Sequence, residues 1–171
     1  SYSPLNLLPI NNSNAPNFAK LELLFLENID FEGQLSNFDF SLFPILNSIY
    51  FRNSIVNQIN INSSTIYRLA VSGTDITTLD LSNLPILGQV EANNTQLNTI
   101  IFNYNAPLEI LFLGSSASNL TPPTITNLDL SAFNNLSLLS VNGWNQLTSL
   151  NIKNGILGNT TFINCPNLQY I

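Results

Sequence analysis

Histidine and methionine do not occur in this sequence, cysteine occurs once, at Cys165, and only 8% of the 171 residues are charged. The lack of histidine excludes Ser–His and Cys–His nucleophile pairs and imidazole metal ligands, and it leaves Cys165 without an imidazole to activate its thiol. A single cysteine also excludes an intramolecular disulfide. We therefore expect a protein that is not an enzyme, with no cofactor and no metal site.

Basic residues are also scarce. The cations are Lys20, Arg52, Arg68 and Lys153, and the net charge is −6. Because phosphate binding needs clustered basic side chains, nucleic acid is not expected as a partner. No apolar run approaches the roughly 20 residues that a membrane-spanning helix needs, so we do not expect the chain to span a membrane.

Neutral polar side chains replace the missing charge, and asparagine alone occurs 29 times. Asparagine, serine and threonine suit tight turns, because their side chains hydrogen-bond to nearby backbone groups and asparagine tolerates a left-handed backbone. Such turns fit a chain in which the pattern Leu-x-x-Leu-x-Leu returns about every 21 residues. The triplets of this first series are Leu21-Leu24-Leu26, Leu46-Ile49-Phe51, Ile66-Leu69-Val71, Leu87-Val90-Ala92, Leu108-Leu111-Leu113, Leu136-Leu139-Val141 and, more weakly, Leu157-Thr160-Phe162. A fixed period of this length is typical of a solenoid, whose units bury their apolar faces on their neighbours.

A second series with the same spacing runs about ten residues out of phase with the first. Its triplets are Leu35-Phe38-Phe40, Val56-Ile59-Ile61, Ile76-Leu79-Leu81, Leu97-Ile100-Phe102, Ile125-Leu128-Leu130 and Leu147-Leu150-Ile152. Apolar alternation with a period of two predicts a strand with one buried face, and no segment carries the apolar stripe of a helix. The two series predict a mostly β solenoid of about seven coils, with short strands on both long sides and little helix.

The repeat does not cover the chain evenly. Residues 1–17 lie outside it, and we expect them to form an N-terminal cap or linker before a solenoid over residues 18–171. Both series have a separation of 28 residues in the same coil, which predicts a loop at residues 115–124 that leaves the sheet, because Pro122 and Pro123 cannot donate to a ladder. Since the last residues open another repeat, we expect the C-terminal edge to be covered by further chain or by another subunit.

Several coils carry a longer motif. Residues 66–76 and 87–97 read Leu-x-x-Leu-x-Leu-x-x-Thr-x-Leu with conservative replacements, and the second series contains Leu-Asp-Leu-Ser at residues 79–82 and 128–131. This combination resembles the short leucine-rich repeats of bacterial surface proteins, especially those of Bacteroidota that the type IX secretion system exports. The resemblance covers about residues 18–171. It implies a right-handed leucine-rich-repeat solenoid, an extracellular or cell-surface location on the outer-membrane exterior, and a ligand on the outward residues of the first-series strands.

Those outward residues include two apolar patches and one charged group. The patches are Leu23 with Phe25 and Tyr50, and Ile110 with Phe112 and Leu138; the charged group is Arg52, Arg68 and Glu91. Exposed apolar patches commonly mark interaction sites, so we expect these residues to bind a ligand unless loops or the N-terminal segment cover them. The charged group forms either a polar specificity cluster or a surface ion pair, and we favour the ion pair.

Two further features have both a structural and a functional interpretation. The second series aligns Asp39, Asp80 and Asp129, which are too far apart for one calcium site, and we expect them to accept hydrogen bonds from turn amides. Trp144 either stacks on a sugar ring or fills the core, and we favour packing.

The sequence favours a non-catalytic protein- or glycan-binding adhesion module on a bacterial cell surface, with the repeat surface as its recognition face. The alternative is a structural subunit of a large outer-membrane assembly for secretion, motility or nutrient uptake. A spacer within a longer repeat protein is a third interpretation.

Overall fold

The computed structural model describes residues 3–4, 13, 15–31, 35, 38–115, 123–153, 158–161 and 164–169. Its strands are β1 (Ser3–Pro4), β2 (Leu23–Phe25), β3 (Ile29–Asp30), β4 (Ser48–Tyr50), β5 (Arg68–Ala70), β6 (Thr78–Asp80), β7 (Gln89–Glu91), β8 (Thr99–Ile101), β9 (Ile110–Phe112), β10 (Asn127–Asp129), β11 (Leu138–Ser140), β12 (Ser149–Asn151) and β13 (Asn159–Thr161). Short 3₁₀ helices occur at Ala15–Phe18 and Phe40–Leu42. The strands stack in parallel as a β-solenoid of about six turns, which confirms the prediction of a mostly β solenoid with little helix.

Seven parallel strands form the larger sheet, in the order β13-β11-β9-β7-β5-β4-β2. Each strand pairs with its equivalent in the next coil, so equivalent residues lie side by side. The central column is Leu24, Ile49, Leu69, Val90, Leu111, Leu139 and Thr160. The members of this column from residue 24 to residue 139 are buried in the core. The residues that flank the column point outward, and we call this outward surface of the seven-stranded sheet the front face.

The opposite long side, which we call the back side, is less regular. It contains the pairs β6–β8 and β10–β12. The expected back-side strand at residues 56–61 is wrong, because these residues belong to no strand. Of the expected strand at residues 35–40, the described residues 38–40 lead into a 3₁₀ helix instead. The rings of Phe31, Phe40 and Phe51 fill this end of the core at edge-to-face distances of 5.7 and 6.2 Å. In the coil of residues 38–40 the Asp39 carboxylate accepts a hydrogen bond from the Ser41 amide and caps the 3₁₀ helix, which takes the place of the expected strand.

One corner of each regular coil has a left-handed backbone. Positive φ angles occur at Asn28, Asn53, Gly73, Asn94, Gly143 and Asn164, and each of these residues lies three positions after a front-face strand. Asparagine and glycine are the residues that adopt this conformation at least cost. The next position carries a buried hydroxyl in three coils; for example, Oγ1 of Thr74 donates to the Val71 carbonyl over 2.6 Å. The corner therefore accounts for part of the high asparagine content.

At the opposite corner, where the chain leaves the back side, an aspartate carboxylate stabilises the turn in three coils. One carboxylate oxygen of Asp39, Asp80 and Asp129 accepts a hydrogen bond from the amide of Ser41, Ser82 and Ser131, respectively, at 2.9 Å in each case. The prediction that these aspartates satisfy turn amides is confirmed. Their carboxylates belong to the turns that return the chain from the back side to the front face.

Trp144 is buried, with 1% of its surface exposed. The prediction that it packs in the core is confirmed, and its ring has no face available for a sugar. The Trp144 indole nitrogen has no hydrogen-bond partner within the described residues.

The ends of the solenoid are described only in part. At the N-terminal end β1 pairs in parallel with β3, so residues 3–4 add a strand beside the first coil. Most of residues 1–12, the centre of the expected loop at residues 116–122, and residues 157, 162 and 171 of the last repeats lie outside the described residues.

The left-handed corner gives a direct test at Asn53, which has a φ of 52°. We expect Asn53→Ala to lower the free energy of unfolding by about 1–2 kcal/mol, because a Cβ carbon without a polar side chain is disfavoured in this conformation. Asn53→Gly should change it by less than about 0.5 kcal/mol. Urea unfolding of both variants, with Asn57→Ala on the exposed back side as the control, measures the difference. Equal losses for the two Asn53 variants would show that the backbone conformation is not what asparagine provides.

Candidate functional site

The front face begins with an exposed apolar edge on β2. Leu23 and Phe25 have 44% and 56% of their surfaces exposed. The Phe25 ring stacks on the Tyr50 ring of the next coil, with centroids 4.4 Å apart and an angle of 19° between the ring planes. Phe25 is therefore held in one orientation while its outer face remains open to solvent.

The prediction that Leu23, Phe25 and Tyr50 form an exposed patch is wrong for Tyr50, because only 6% of its surface is exposed. Phe25 covers one part of the ring, and the guanidinium carbon of Arg52 lies 4.9 Å from its centroid. Nη1 of Arg68 also donates to the Tyr50 hydroxyl over 2.9 Å. Tyr50 is thus the support for the apolar edge and for the adjacent arginines, and Leu23 and Phe25 form the accessible part of the patch.

Arg52 reaches past the neighbouring coil to an acid two coils away. Its Nη2 atom donates to Oε2 of Glu91 at 2.5 Å, and its Nη1 atom lies 3.9 Å from Oε1 of Glu27. Between Tyr50 and Glu91 the sheet carries Ala70, whose small side chain is fully buried. A larger residue at position 70 would occupy the space between β4 and β7 that the arginine crosses. The preferred interpretation of Arg52 and Glu91 as an ion pair is confirmed.

Tyr67 repeats this arrangement in the column just before the strands. Its hydroxyl donates to Oε2 of Glu109, two coils further on, at 2.8 Å. The coil between them carries Gly88, where an added Cβ atom would lie only 2.1 Å from Cε2 of Tyr67. The ring therefore lies across the glycine. The bond to Glu109 raises the pKa of Tyr67 above its ordinary value of 10.0, and burial and the negative charge of Glu109 act in the same direction.

Arg68 completes the polar network through hydrogen bonds to neutral groups, and it has no ion pair within the described residues. Its Nε atom donates to Oε1 of Gln89 at 2.6 Å, in addition to its bond with Tyr50. The expected charged group therefore exists as two linked parts, Arg52 with Glu91 and Arg68 with Tyr50. Tyr67, Gln89 and Glu109 also belong to the network but were not predicted as site residues. The pair of Tyr67 and Glu109 does have a signal in the sequence. Tyr67, Gly88 and Glu109 are separated by 21 residues each, so they occupy the same position in three successive repeats.

The second apolar patch lies on the other side of this network. Ile110 on β9 is in register with Leu138 on β11, and Phe112 lies at the other end of β9. All three side chains are half-buried. The front face thus runs from an exposed apolar edge, across a fixed polar network, to a second and flatter apolar patch.

Two clefts lie on the back side between described residues, at places where the strand ladder is interrupted. One, which we call the Thr78 cleft, has a volume of about 520 Å³ and lies between residues 57–60 and 77–80. The other, the Tyr104 cleft, has a volume of about 230 Å³ and lies between residues 98–104 and 125–129. The sequence did not predict either cleft, because the two segments on either side of each cleft keep the regular apolar spacing.

No family of known proteins, curated protein or solved structure matches this chain. Within the described residues, histidine, cysteine, aspartate and glutamate form no group of three that could hold a metal ion. No helix in that part of the chain is long and apolar enough to cross a membrane.

The contact between Tyr67 and Gly88 can be tested through the pKa of Tyr67. Since the pKa of Tyr67 is raised in the folded state, its bond to Glu109 stabilises the fold fully below pH 10 and is lost as the pH rises through the folded-state pKa. The tyrosinate absorbance that disappears in Tyr67→Phe should therefore titrate above 10. In Gly88→Ala the added methyl group displaces the ring, and the same component should titrate closer to 10.0.

Gly158→Ala is the matched control, because it lies in the same column and its added Cβ atom would make only an ordinary 3.4 Å contact with the Ser137 carbonyl. It should leave the Tyr67 titration unchanged. A Tyr67 midpoint that is the same in the wild type and in Gly88→Ala would contradict the role given to the glycine.

Proposed function

We propose that this chain is a non-catalytic protein-recognition module that binds its partner on the front face. The observation that carries the proposal is the exposed edge formed by Leu23 and Phe25 beside a network of fixed polar side chains. Phe25 is more than half exposed, yet its ring is already oriented by the stack on Tyr50. An aromatic side chain held in its binding orientation loses little conformational entropy when a partner covers it.

The order of chemical groups on the front face fits a protein partner. Protein interfaces combine a buried apolar centre with polar groups around it, and aromatic residues and arginine contribute most to their affinity. Here Arg52 and Arg68 are bound to Glu91, Gln89 and Tyr50 before any partner arrives. Such arginines keep their geometry when the interface forms. The half-buried patch of Ile110, Phe112 and Leu138 extends the same surface over two further strands.

The sequence resemblance to bacterial surface repeats supports an extracellular or cell-surface location, where such a module would serve adhesion. The proposal of a non-catalytic role rests on the sequence, which has no histidine and one cysteine. That cysteine is half-buried, and its Sγ atom donates to the Val141 carbonyl at 3.1 Å.

A display library of random peptides tests the proposal without knowledge of the natural partner. Peptides are selected on the immobilised wild-type chain, and the dissociation constants of the enriched peptides are measured on variants. We expect Phe25→Ser to weaken binding about tenfold or more, because the loss of an aromatic anchor costs at least 1–2 kcal/mol. Ile86→Ser removes another exposed apolar side chain away from the front face and should change affinity by less than about twofold.

Phe112→Ser is the second variant, because it lies in the other patch and reports whether the interface extends along the sheet. Peptides that bind Phe25→Ser and Phe112→Ser as tightly as the wild type would overturn the proposal. A parallel glycan array distinguishes the ligand class. Glycan binding that depends on Phe25, with no peptide enrichment, would show that the front face recognises sugars instead of proteins.

A further inference from the structure

The Tyr104 cleft exists because the back-side ladder stops between two adjacent coils. β8 and β10 are consecutive on this side, but β8 pairs only with β6 and β10 only with β12 among the described strands. The core is open at this point. Ile100 on β8 is partly exposed, whereas its equivalents in the neighbouring pairs, Leu79 and Leu150, are buried.

Contacts between the two coils close the cleft at both ends. At one end the Thr124 amide donates to the Leu97 carbonyl at 3.2 Å, and its hydroxyl donates to Oδ1 of Asn98 at 2.9 Å. At the other end the ring of Phe133 lies 5.2 Å from that of Phe102 and 5.4 Å from that of Tyr104. An extra peptide strand between β8 and β10 would have to move these strands roughly 10 Å apart. The closed ends prevent such a separation, so the cleft suits a compact ligand.

The lining of the cleft combines an aromatic platform with neutral hydrogen-bonding groups. The Tyr104 ring is 53% exposed, and Phe133 supports it from the core side in a stacked arrangement with an angle of 26° between the ring planes. Asn98, Thr99 and Asn127 lie along the same cleft. The Thr99 hydroxyl has no hydrogen-bond partner within the described residues and is available to a ligand.

Asp129 supplies the one charge among the described lining residues. Its Oδ1 atom accepts hydrogen bonds from the amide and the hydroxyl of Ser131, at 2.9 and 2.6 Å. These bonds hold the pKa of Asp129 below its usual value, so the carboxylate is ionised near neutral pH. A fixed carboxylate accepts strong hydrogen bonds from hydroxyl groups, and no cation is among the described residues that line the cleft.

We propose that the Tyr104 cleft binds one ring of a neutral carbohydrate, which places a second recognition site on the back side, separate from the front face. The apolar face of a sugar ring would lie against Tyr104, and its hydroxyl groups would bond to Thr99, Asn127 and Asp129. A volume of about 230 Å³ is smaller than the pockets of drug-sized ligands and fits a single ring better than an extended chain. The larger Thr78 cleft has asparagine, glutamine, threonine, isoleucine and aspartate but no aromatic residue among its described lining residues, so that part of it lacks the platform.

A titration of the whole isotope-labelled chain with methyl glycosides of neutral hexoses and N-acetylhexosamines, followed by amide NMR spectra, tests this site. We expect shifts at the amides of Thr99, Tyr104 and Asn127 with at least one glycoside. Tyr104→Ala should weaken that binding about tenfold, whereas Tyr104→Phe should retain it within about twofold, since the ring provides the contact.

Thr99→Val tests the polar side of the site with little change in side-chain volume, and it should weaken binding about threefold to tenfold. Thr78→Val is the matched control, because Thr78 pairs with Thr99 in the β6–β8 register but lines the other cleft. It should leave binding unchanged. A thermal melt of each variant shows whether the fold is retained, and Thr99→Val keeps the test valid if Tyr104→Ala is unstable.

Four results would overturn the proposal. They are no shift with any neutral glycoside, shifts confined to the front face or to the Thr78 cleft, equal affinity of Tyr104→Ala and the wild type, and a stronger response of the same amides to choline or to an extended peptide. The last result would identify a cationic or a peptide ligand. The front face lies on the opposite side of the solenoid. Success or failure of this glycoside test therefore does not decide the peptide-selection experiment.

Discussion

The left-handed corner after six of the seven front-face strands is the constraint on which the rest of the structure depends. Six coils place asparagine or glycine with a positive φ three residues after the strand. A fixed corner gives each coil the same path, so the strands stack in register and equivalent residues become neighbours. The central column from Leu24 to Leu139 is buried because of this register. Asparagine is therefore not merely a substitute for charge at the surface of this protein. It sets the backbone geometry that the parallel ladder requires.

Register also explains how side chains two coils apart can meet. Strands in adjacent coils lie about 4.8 Å apart, so a long side chain spans about two such steps if the residue between is small. Arg52 reaches Glu91 beside Ala70, and Tyr67 reaches Glu109 across Gly88. Both pairs join coils that do not contact each other through their backbones. They stiffen the centre of the front face, which is the part that separates its two apolar patches.

The sequence predicts the solenoid, the front-face strand column and the aspartate turns, because each follows from apolar spacing or from local hydrogen bonding. It does not predict the burial of Tyr50, which depends on Phe25 and Arg68 in the neighbouring coils and on Arg52 in its own coil. The interruptions of the back-side ladder are also invisible to periodicity, since Ile100 and Leu128 keep the regular apolar positions on either side of one gap. The 28-residue separation between Leu108 and Leu136 marks the coil that contains this gap. It gives no indication that a cleft would open beside it.

Regular coils and irregular coils have different roles in this molecule. In a repeat solenoid each coil is stabilised by its nearest neighbours, so a local break on one side costs little if the other side remains paired. Between β8 and β10 the back side opens, while β7 and β9 stay paired on the front face. The continuous front sheet thus carries the stability that allows the back side to form clefts. For the same reason, a ligand in the Tyr104 cleft would bind without disturbing the register of the front face, so the two proposed sites would be independent of each other.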